Sequence, residues 1–200
     1  MIQLQAMGCH NINLVSPSHV VAQVLEAVSI AARQGLSLPL AYNTGGYDSP
    51  EALALLDGVV DIYMPDMKYG SSDMARRYSK VRDYVAVNRA AVKAMHTQVG
   101  DLIIGKDGIA KRGLLVRHLM LPEDIAGTCG VLEFLAEEIS TETYLNLMDQ
   151  YRPCYRAGEH PEVERRITVA EYQTAFDLAR DVGLTRLDSR VLESWLIGQV

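Results

Sequence analysis

Residues 38–51 read LPLAYNTGGYDSPE. Leu38 to Tyr42 is a short β-rich run, and Asn43-Thr44-Gly45-Gly46 reads as the turn that closes it. Ser49-Pro50-Glu51 then starts a helix. Serine caps it, proline suits the first helical position, and glutamate complements the positive helix end. A strand followed at once by a helix is half of a βαβ unit.

The same alternation extends in both directions. Upstream, Asn11 to Val15 reads as a strand and Pro17-Ser18 as a turn. Val20 to Gln34 carries Val21, Val24, Leu25, Val28 and Ala31 at the spacing of one helix face, and Gly35 stops it. Downstream, the helix from Pro50 ends at Asp57-Gly58, and Val59 to Met64 is a third strand. A helix follows from about Asp73 to Val99, with Ser79 to Asp83 as its interruption. Leu102 to Ile104 and Gly108 to Ala110 form a small β-ribbon turned at Lys106-Asp107-Gly108. Leu114 to Leu121 is a strong strand, Thr128 to Glu138 a helix, and Tyr144 to Met148 the last strand. Gln150 to Arg165 is polar and reads as loop. Thr168 and Glu171 have capping-box spacing, opening a helix to about Val182, and Val191 to Ile197 is a further short helix.

Five strands alternating with helices predict an α/β fold with a mainly parallel sheet, open or closed into an incomplete barrel. The 200 residues are read as a single domain, with a core over 8–188 and an extension over 189–200. Nineteen basic against twenty-five acidic residues give a net charge of −6, which argues against nucleic acid and anionic lipid as partners. No apolar run approaches the roughly 18 residues that span a bilayer. The three cysteines, Cys9, Cys129 and Cys154, suit a reducing, cytoplasmic setting better than a disulfide framework.

In such folds ligands bind beyond the carboxyl ends of the strands. Those ends carry Ser16-Pro17-Ser18-His19, Asn43-Thr44-Gly45-Gly46, Asp66-Met67-Lys68, Arg117-His118, and Asn146 with Asp149-Gln150. Each has two readings. The glycines serve a turn or a close backbone approach to a ligand. Asp66 and Lys68 form a rim ion pair or hold a ligand. His118, inside an apolar strand, is a hydrogen-bonded core residue or a ligand contact. Tyr42, Tyr47, Tyr63 and Tyr69 line a pocket or pack half-buried. No Walker, dinucleotide or nucleophile-elbow motif is present.

The stretches GCHNINLVSPSHV (8–20), LPLAYNTGGYDSPE, VDIYMPDMKY (60–69), RGLLVRHLMLP (112–122) and NLMDQYRPC (146–154) resemble radical S-adenosylmethionine proteins. Within that superfamily the chain is similar to the pyruvate formate-lyase-activating-enzyme-like iron–sulfur proteins. The resemblance implies a partial TIM-like (β/α) barrel with S-adenosylmethionine and a [4Fe-4S] cluster at its open top. It implies reductive cleavage to a 5′-deoxyadenosyl radical, hydrogen abstraction, and a glycyl-radical-type protein or peptide as partner. Ser16 falls where the superfamily has its Gly-Gly-Glu element, without those glycines and that glutamate. Asn43, Thr44 and Gly45 match a polar turn that approaches the cofactor. Asp66 and Lys68 match an Asp-x-Lys element that faces it. His118 falls on the strand that supplies a ribose contact, and Asn146 and Gln150 are expected to face substrate.

The family's CxxxCxxC cluster loop is absent from this sequence. The chain therefore reads as an N-terminally truncated member that lacks the first barrel strand and the metal ligands. Met1 is expected to lie within a helix. The missing strand predicts an exposed sheet edge through which chains associate. Three functions follow: an incomplete radical enzyme, inactive alone; a cluster-free binding module that retains a nucleoside or peptide pocket; or a Schiff-base barrel enzyme using Lys68.

Overall fold

The computed structural model describes residues 1–188. The expected helix around Val191 to Ile197 and the extension 189–200 lie outside the described residues. In chain order the elements are α1 (Ile2–Ala6), β1 (Ile12–Val15), α2 (Val21–Arg33), β2 (Leu40–Thr44), α3 (Pro50–Leu56), β3 (Ile62–Pro65), α4 (Ser72–Ser79), α5 (Tyr84–Val99), β4 (Ile103–Ile104), β5 (Ala110–Leu119), α6 (Thr128–Phe134), β6 (Tyr144–Met148) and α7 (Val169–Asp181). They divide into two compact units, residues 1–65 with 87–115, and residues 66–86 with 116–188.

In the first unit the strand order is β1-β2-β3-β5-β4. β1, β2, β3 and the start of β5 are parallel, with Ile12 opposite Leu40, Tyr42 opposite Tyr63, and Tyr63 opposite Leu114. β4 folds back antiparallel on β5, as the expected ribbon requires. β2 is buried on both faces, as a central parallel strand must be, through its apolar residues Leu40, Ala41 and Tyr42. β1 stands at the end of the order, with Ile12 buried and Val15 exposed.

The strand end at Asn43 departs from the expectation. Asn43 and Thr44 are not part of a turn; they continue β2, with Thr44 paired to Pro65. Pairing with β3 overrides the local turn preference of Asn and Thr, and the chain turns only at Gly45-Gly46. The helix signals hold. Ser49 Oγ accepts the Ala52 N–H at 3.2 Å, a cap that contributes about 1 kcal/mol. At the end of α2, Gly35 adopts φ +89°. Its N–H and that of Leu36 return to Ala32 and Ala31, the hydrogen bonds of a Schellman turn.

In the second unit, the C-terminal half of β5 lies beside β6, joined by Met120 N–H to Met148 C=O at 3.1 Å. Leu145 and Leu147 are buried from β6, and Val116 and His118 from β5. α6 buries Val131, Leu132 and Phe134 and continues as a wide turn over Leu135–Ile139. α7 begins with the expected reciprocal capping box of Thr168 and Glu171. It buries Tyr172, whose hydroxyl donates to the Leu147 carbonyl. α4 ends where Lys80 turns left-handed, φ 62°, within the interruption expected at Ser79 to Asp83. Among the described residues no helix is long and apolar enough to cross a membrane.

Candidate functional site

In the first unit the end of β2 is organised by Asp48. Its carboxylate, 2% exposed, accepts three hydroxyls. They come from Ser18 at 2.6 Å, Tyr42 at 2.9 Å and Thr44 at 2.5 Å. Thr44 Oγ1 in turn accepts the Gly46 N–H, and the buried Asn88 side chain donates to the Gly46 carbonyl. Burial, together with the Asp48 charge, pushes the Tyr42 hydroxyl far above its ordinary value, so it stays a donor. Tyr42 and Tyr63 meet edge to face at 5.7 Å, and Tyr63 donates to Gln98. Both are core residues; Tyr47 is exposed. Of the expected residues, Ser16 is exposed in a left-handed conformation and its N–H donates to the Asn43 carbonyl. Asn43 and Gly45 are half-buried, and Thr44 braces the turn through Asp48.

In the second unit the Asp66-Met67-Lys68 element is held at every residue. Asp66 Oδ2 accepts from Lys68 Nζ at 2.7 Å, and Asp66 Oδ1 pairs with Arg117 at 2.6 Å. Met67 N–H donates to the Arg117 carbonyl. Its own carbonyl meets His118 Nδ1 at 2.6 Å. Lys68 N–H donates to the Tyr84 hydroxyl at 2.8 Å, which itself donates to the Asp66 carbonyl. His118 is fully buried, and its other nitrogen meets Thr128 Oγ1 at 3.0 Å. Burial holds the imidazole below its ordinary pKa, so it is neutral: Nδ1–H donates to Met67 and Nε2 accepts from Thr128. His118 is thus the hydrogen-bonded core residue among its two readings, and it positions the Asp-x-Lys element.

The Asp66 group carries two cations and one carboxylate. Lys68 presents its ammonium to solvent, with 45% of its side chain exposed; Asp66 and Arg117 are 14% and 23% exposed. Such a group attracts an anion, and its Lys and Arg can donate to a carboxylate or phosphate. Asn146 is half-buried on β6, on the strand face opposite Leu145 and Leu147. Gln150 is exposed, with Nε2 against the Met148 sulfur at 3.4 Å. Neither joins the Asp66 network among the described residues.

The sequence reading placed Arg117 at a strand end without assigning it to the site, and it missed Asp48 and Tyr84. It also missed a cavity of about 390 Å³ in the second unit. Its walls come from chain that follows β3, β5 and β6, including Tyr69, Leu121 and Tyr151. Tyr69 stacks edge-on against Tyr84 at 5.7 Å, so its floor is continuous with the brace of Lys68. The signal for it was present as tyrosines 69, 78, 151 and 155 around a basic run at 76–82.

The residues present do not fit an iron–sulfur cluster. Such a cluster takes several converging thiolates. Among the described residues no three Cys, His, Asp or Glu side chains come together as metal ligands. Cys129 is exposed and donates to Glu133, and that contact raises its thiol pKa, disfavouring the thiolate.

No family model matches the sequence. An uncharacterized protein of Methanocaldococcus jannaschii is 29% identical over 177 residues, which is 87% of this chain and 47% of that protein. The chain spans about half the length of the curated relative it matches. Among solved structures, a domain of pyruvate-formate lyase-activating enzyme from Bacteroides vulgatus superposes with a TM-score of 0.63 at 14% identity. The match covers 90% of this chain and 98% of that one. The fold is the partial barrel that the sequence resemblance implies. It places the Asp66 group past β3, at the strand ends where such barrels carry their ligands.

Proposed function

We propose that this chain binds an adenosyl ligand of the S-adenosylmethionine type at its strand ends and holds no iron–sulfur cluster with its own residues. The observation that carries this reading is the Asp66–Lys68–Arg117 group, one carboxylate between two cations immediately past β3. S-adenosylmethionine brings an amino-acid carboxylate, and in this reading Lys68 and Arg117 receive it. Asp66 keeps the two cations in place, and His118 and Tyr84 fix the backbone that carries Lys68. When bound beside a reduced cluster, S-adenosylmethionine is a source of a carbon radical. No such step is assigned here, because the residues present do not fit the cluster. The Schiff-base alternative needs Lys68 Nζ free to attack a carbonyl, and it is instead tied to Asp66 Oδ2 at 2.7 Å.

The test is calorimetric titration of the chain with S-adenosylmethionine. Lys68→Gln is expected to weaken binding about tenfold, the effect of losing one charge-assisted hydrogen bond, and Asp66→Ala to weaken it less, through the Lys68 and Arg117 groups it holds in place. No binding by the native chain, or an unchanged dissociation constant in both variants, overturns the assignment. Anaerobic reconstitution with iron and sulfide is expected to leave the chain colourless. Retention of about four irons per chain would overturn the cluster-free half of the reading.

A further inference from the structure

The cavity of the second unit is lined by four tyrosines and by Arg77, Lys80 and Arg156, and among the described residues no carboxylate lines it. The carboxylates sit behind its walls. Glu162 accepts the Tyr78 hydroxyl at 2.6 Å and also binds Arg77, whose guanidinium lies over the Tyr78 ring. Glu159 holds Arg156 through both oxygens. These acids orient rings and cations without entering the cavity.

A second observation points the same way. An open basic groove formed by Arg76, Arg77, Lys80, Arg82 and Asp73 shares Arg77 and Lys80 with the cavity. Four cations within residues 76–82, in a chain of net charge −6, concentrate a positive field at one spot. Lys80 Nζ donates to the Arg77 carbonyl at 2.8 Å, which leaves two of its three donors for another acceptor. Tyr155 is 97% exposed and held left-handed, φ 54°, a conformation that costs a non-glycine residue energy. An aromatic ring displayed to water at the rim is suited to cover a second ring.

We propose that this cavity binds a small aromatic or heteroaromatic phosphate monoester, its ring among the tyrosines and its phosphate at Lys80 and Arg77. The volume is that of a small-molecule site, and aromatic walls with a few convergent cations fix a flat ring and its anionic tail together. Neither half of the ligand suffices. The hydroxyls of Tyr69, Tyr78 and Tyr151 are engaged with Ser79, Glu162 and Val163, so the tyrosines offer an inorganic anion little, and the cations offer a neutral ring little beyond a cation–π contact. The proposal stands independently of the adenosyl-ligand reading.

Cys154 lines the cavity, whereas Cys9 and Cys129 do not. The rate of iodoacetamide alkylation at each cysteine, followed by peptide mass spectrometry, therefore reports occupancy with two internal controls. Saturating phenyl phosphate is expected to slow Cys154 several-fold and leave Cys9 and Cys129 unchanged. Phenol and inorganic phosphate, each alone, should need at least about tenfold higher concentrations for the same protection. Lys80→Gln, a change at an exposed helix end, should raise the half-protecting concentration about tenfold. Tyr155→Ala should raise it by a similar factor through lost stacking. The proposal is overturned if phenyl phosphate does not slow Cys154, or if all three cysteines slow together. It is also overturned if inorganic phosphate alone protects equally, or if Lys80→Gln changes nothing.

Discussion

Replacing Asp48 by alanine removes the one acceptor shared by Ser18, Tyr42 and Thr44. Ser18 is exposed, so its hydroxyl returns to water. Tyr42 is fully buried and Thr44 2% exposed, so theirs do not. A buried donor left unpaired costs about 1–3 kcal/mol, which gives about 2–6 kcal/mol for two. Ser18 Oγ lies 3.3 Å from Thr44 Oγ1 and 3.5 Å from the Tyr42 hydroxyl, so one of them can turn to it. One unpaired donor then remains, and the expected loss is about 2 kcal/mol. Asp48→Asn is a different perturbation. Its amide oxygen keeps the Ser18 and Tyr42 bonds, and its NH2 can donate to Thr44 Oγ1, for a loss of about 1 kcal/mol. In a chain of this size each kcal/mol lowers Tm by about 2–4 °C. Alanine should therefore cost about 4–8 °C and asparagine about half of that. Urea unfolding followed by circular dichroism, with equal m-values as the check on the reference state, measures both. If alanine and asparagine cost the same, or if alanine costs less than about 1 kcal/mol, hydroxyl satisfaction is not what Asp48 provides.

The neutral His118 makes stability depend on pH. Burial lowers its folded pKa below the ordinary 6.5, so the unfolded chain binds the proton first. Its contribution is complete above about pH 6.5 and is lost as pH falls through the interval down to the folded value, with a slope of at most about 1.4 kcal/mol per pH unit. Glu171, held far below the usual carboxylate range chiefly by Arg165, adds its own loss only under 4.5. Above about pH 5 Glu171 adds no slope, and comparison with His118→Gln isolates the histidine: the variant should flatten the slope there, and an unchanged slope refutes the assignment. Separately, Gly113 has φ +119°, and a Cβ on it would lie 2.3 Å from the Asp101 carbonyl oxygen, whereas one on Gly35 meets nothing within 4 Å. Gly113→Ala is expected to cost about 3 kcal/mol and Gly35→Ala about 1 kcal/mol by the same unfolding assay, and equal costs would refute the steric argument.

Local signals carried most of the fold. The caps at Ser49 and Thr168, the stop at Gly35 and the break before Tyr84 depend on a few adjacent residues, and each stands where its chemistry put it. The end of β2 was misread because Asn43 and Thr44 favour turns locally, while their strand state is set by β3, about twenty residues on. The site was half legible for the same reason. Asp66 and Lys68 are two apart and show themselves; their partner Arg117 lies on another strand, and nothing near Asp66 announces it. The tyrosine cavity was least legible. Its walls come partly from residues 151–163, a polar stretch without apolar period, and only the tertiary structure brings them to α4.

Hydrogen-bonding capacity separates these polar residues into two kinds. Asp48 and His118 have theirs taken up inside the protein: Asp48 accepts three hydroxyls, and each His118 nitrogen has a partner. A buried group so occupied cannot change partners for a ligand without leaving another polar atom unpaired, at a cost of about 1–3 kcal/mol, so its contribution is position. Lys68 and Lys80 are the opposite case. Each ammonium has three donors and gives one to the protein, Lys68 to Asp66 and Lys80 to the Arg77 carbonyl. The remaining donors face water and can exchange it for an anion at little cost, which is the condition for a ligand contact. By this criterion Asp66, although it heads the Asp-x-Lys element, belongs with the positioning residues. Its substitution should weaken an anionic ligand only through the Lys68 and Arg117 charges it holds in place.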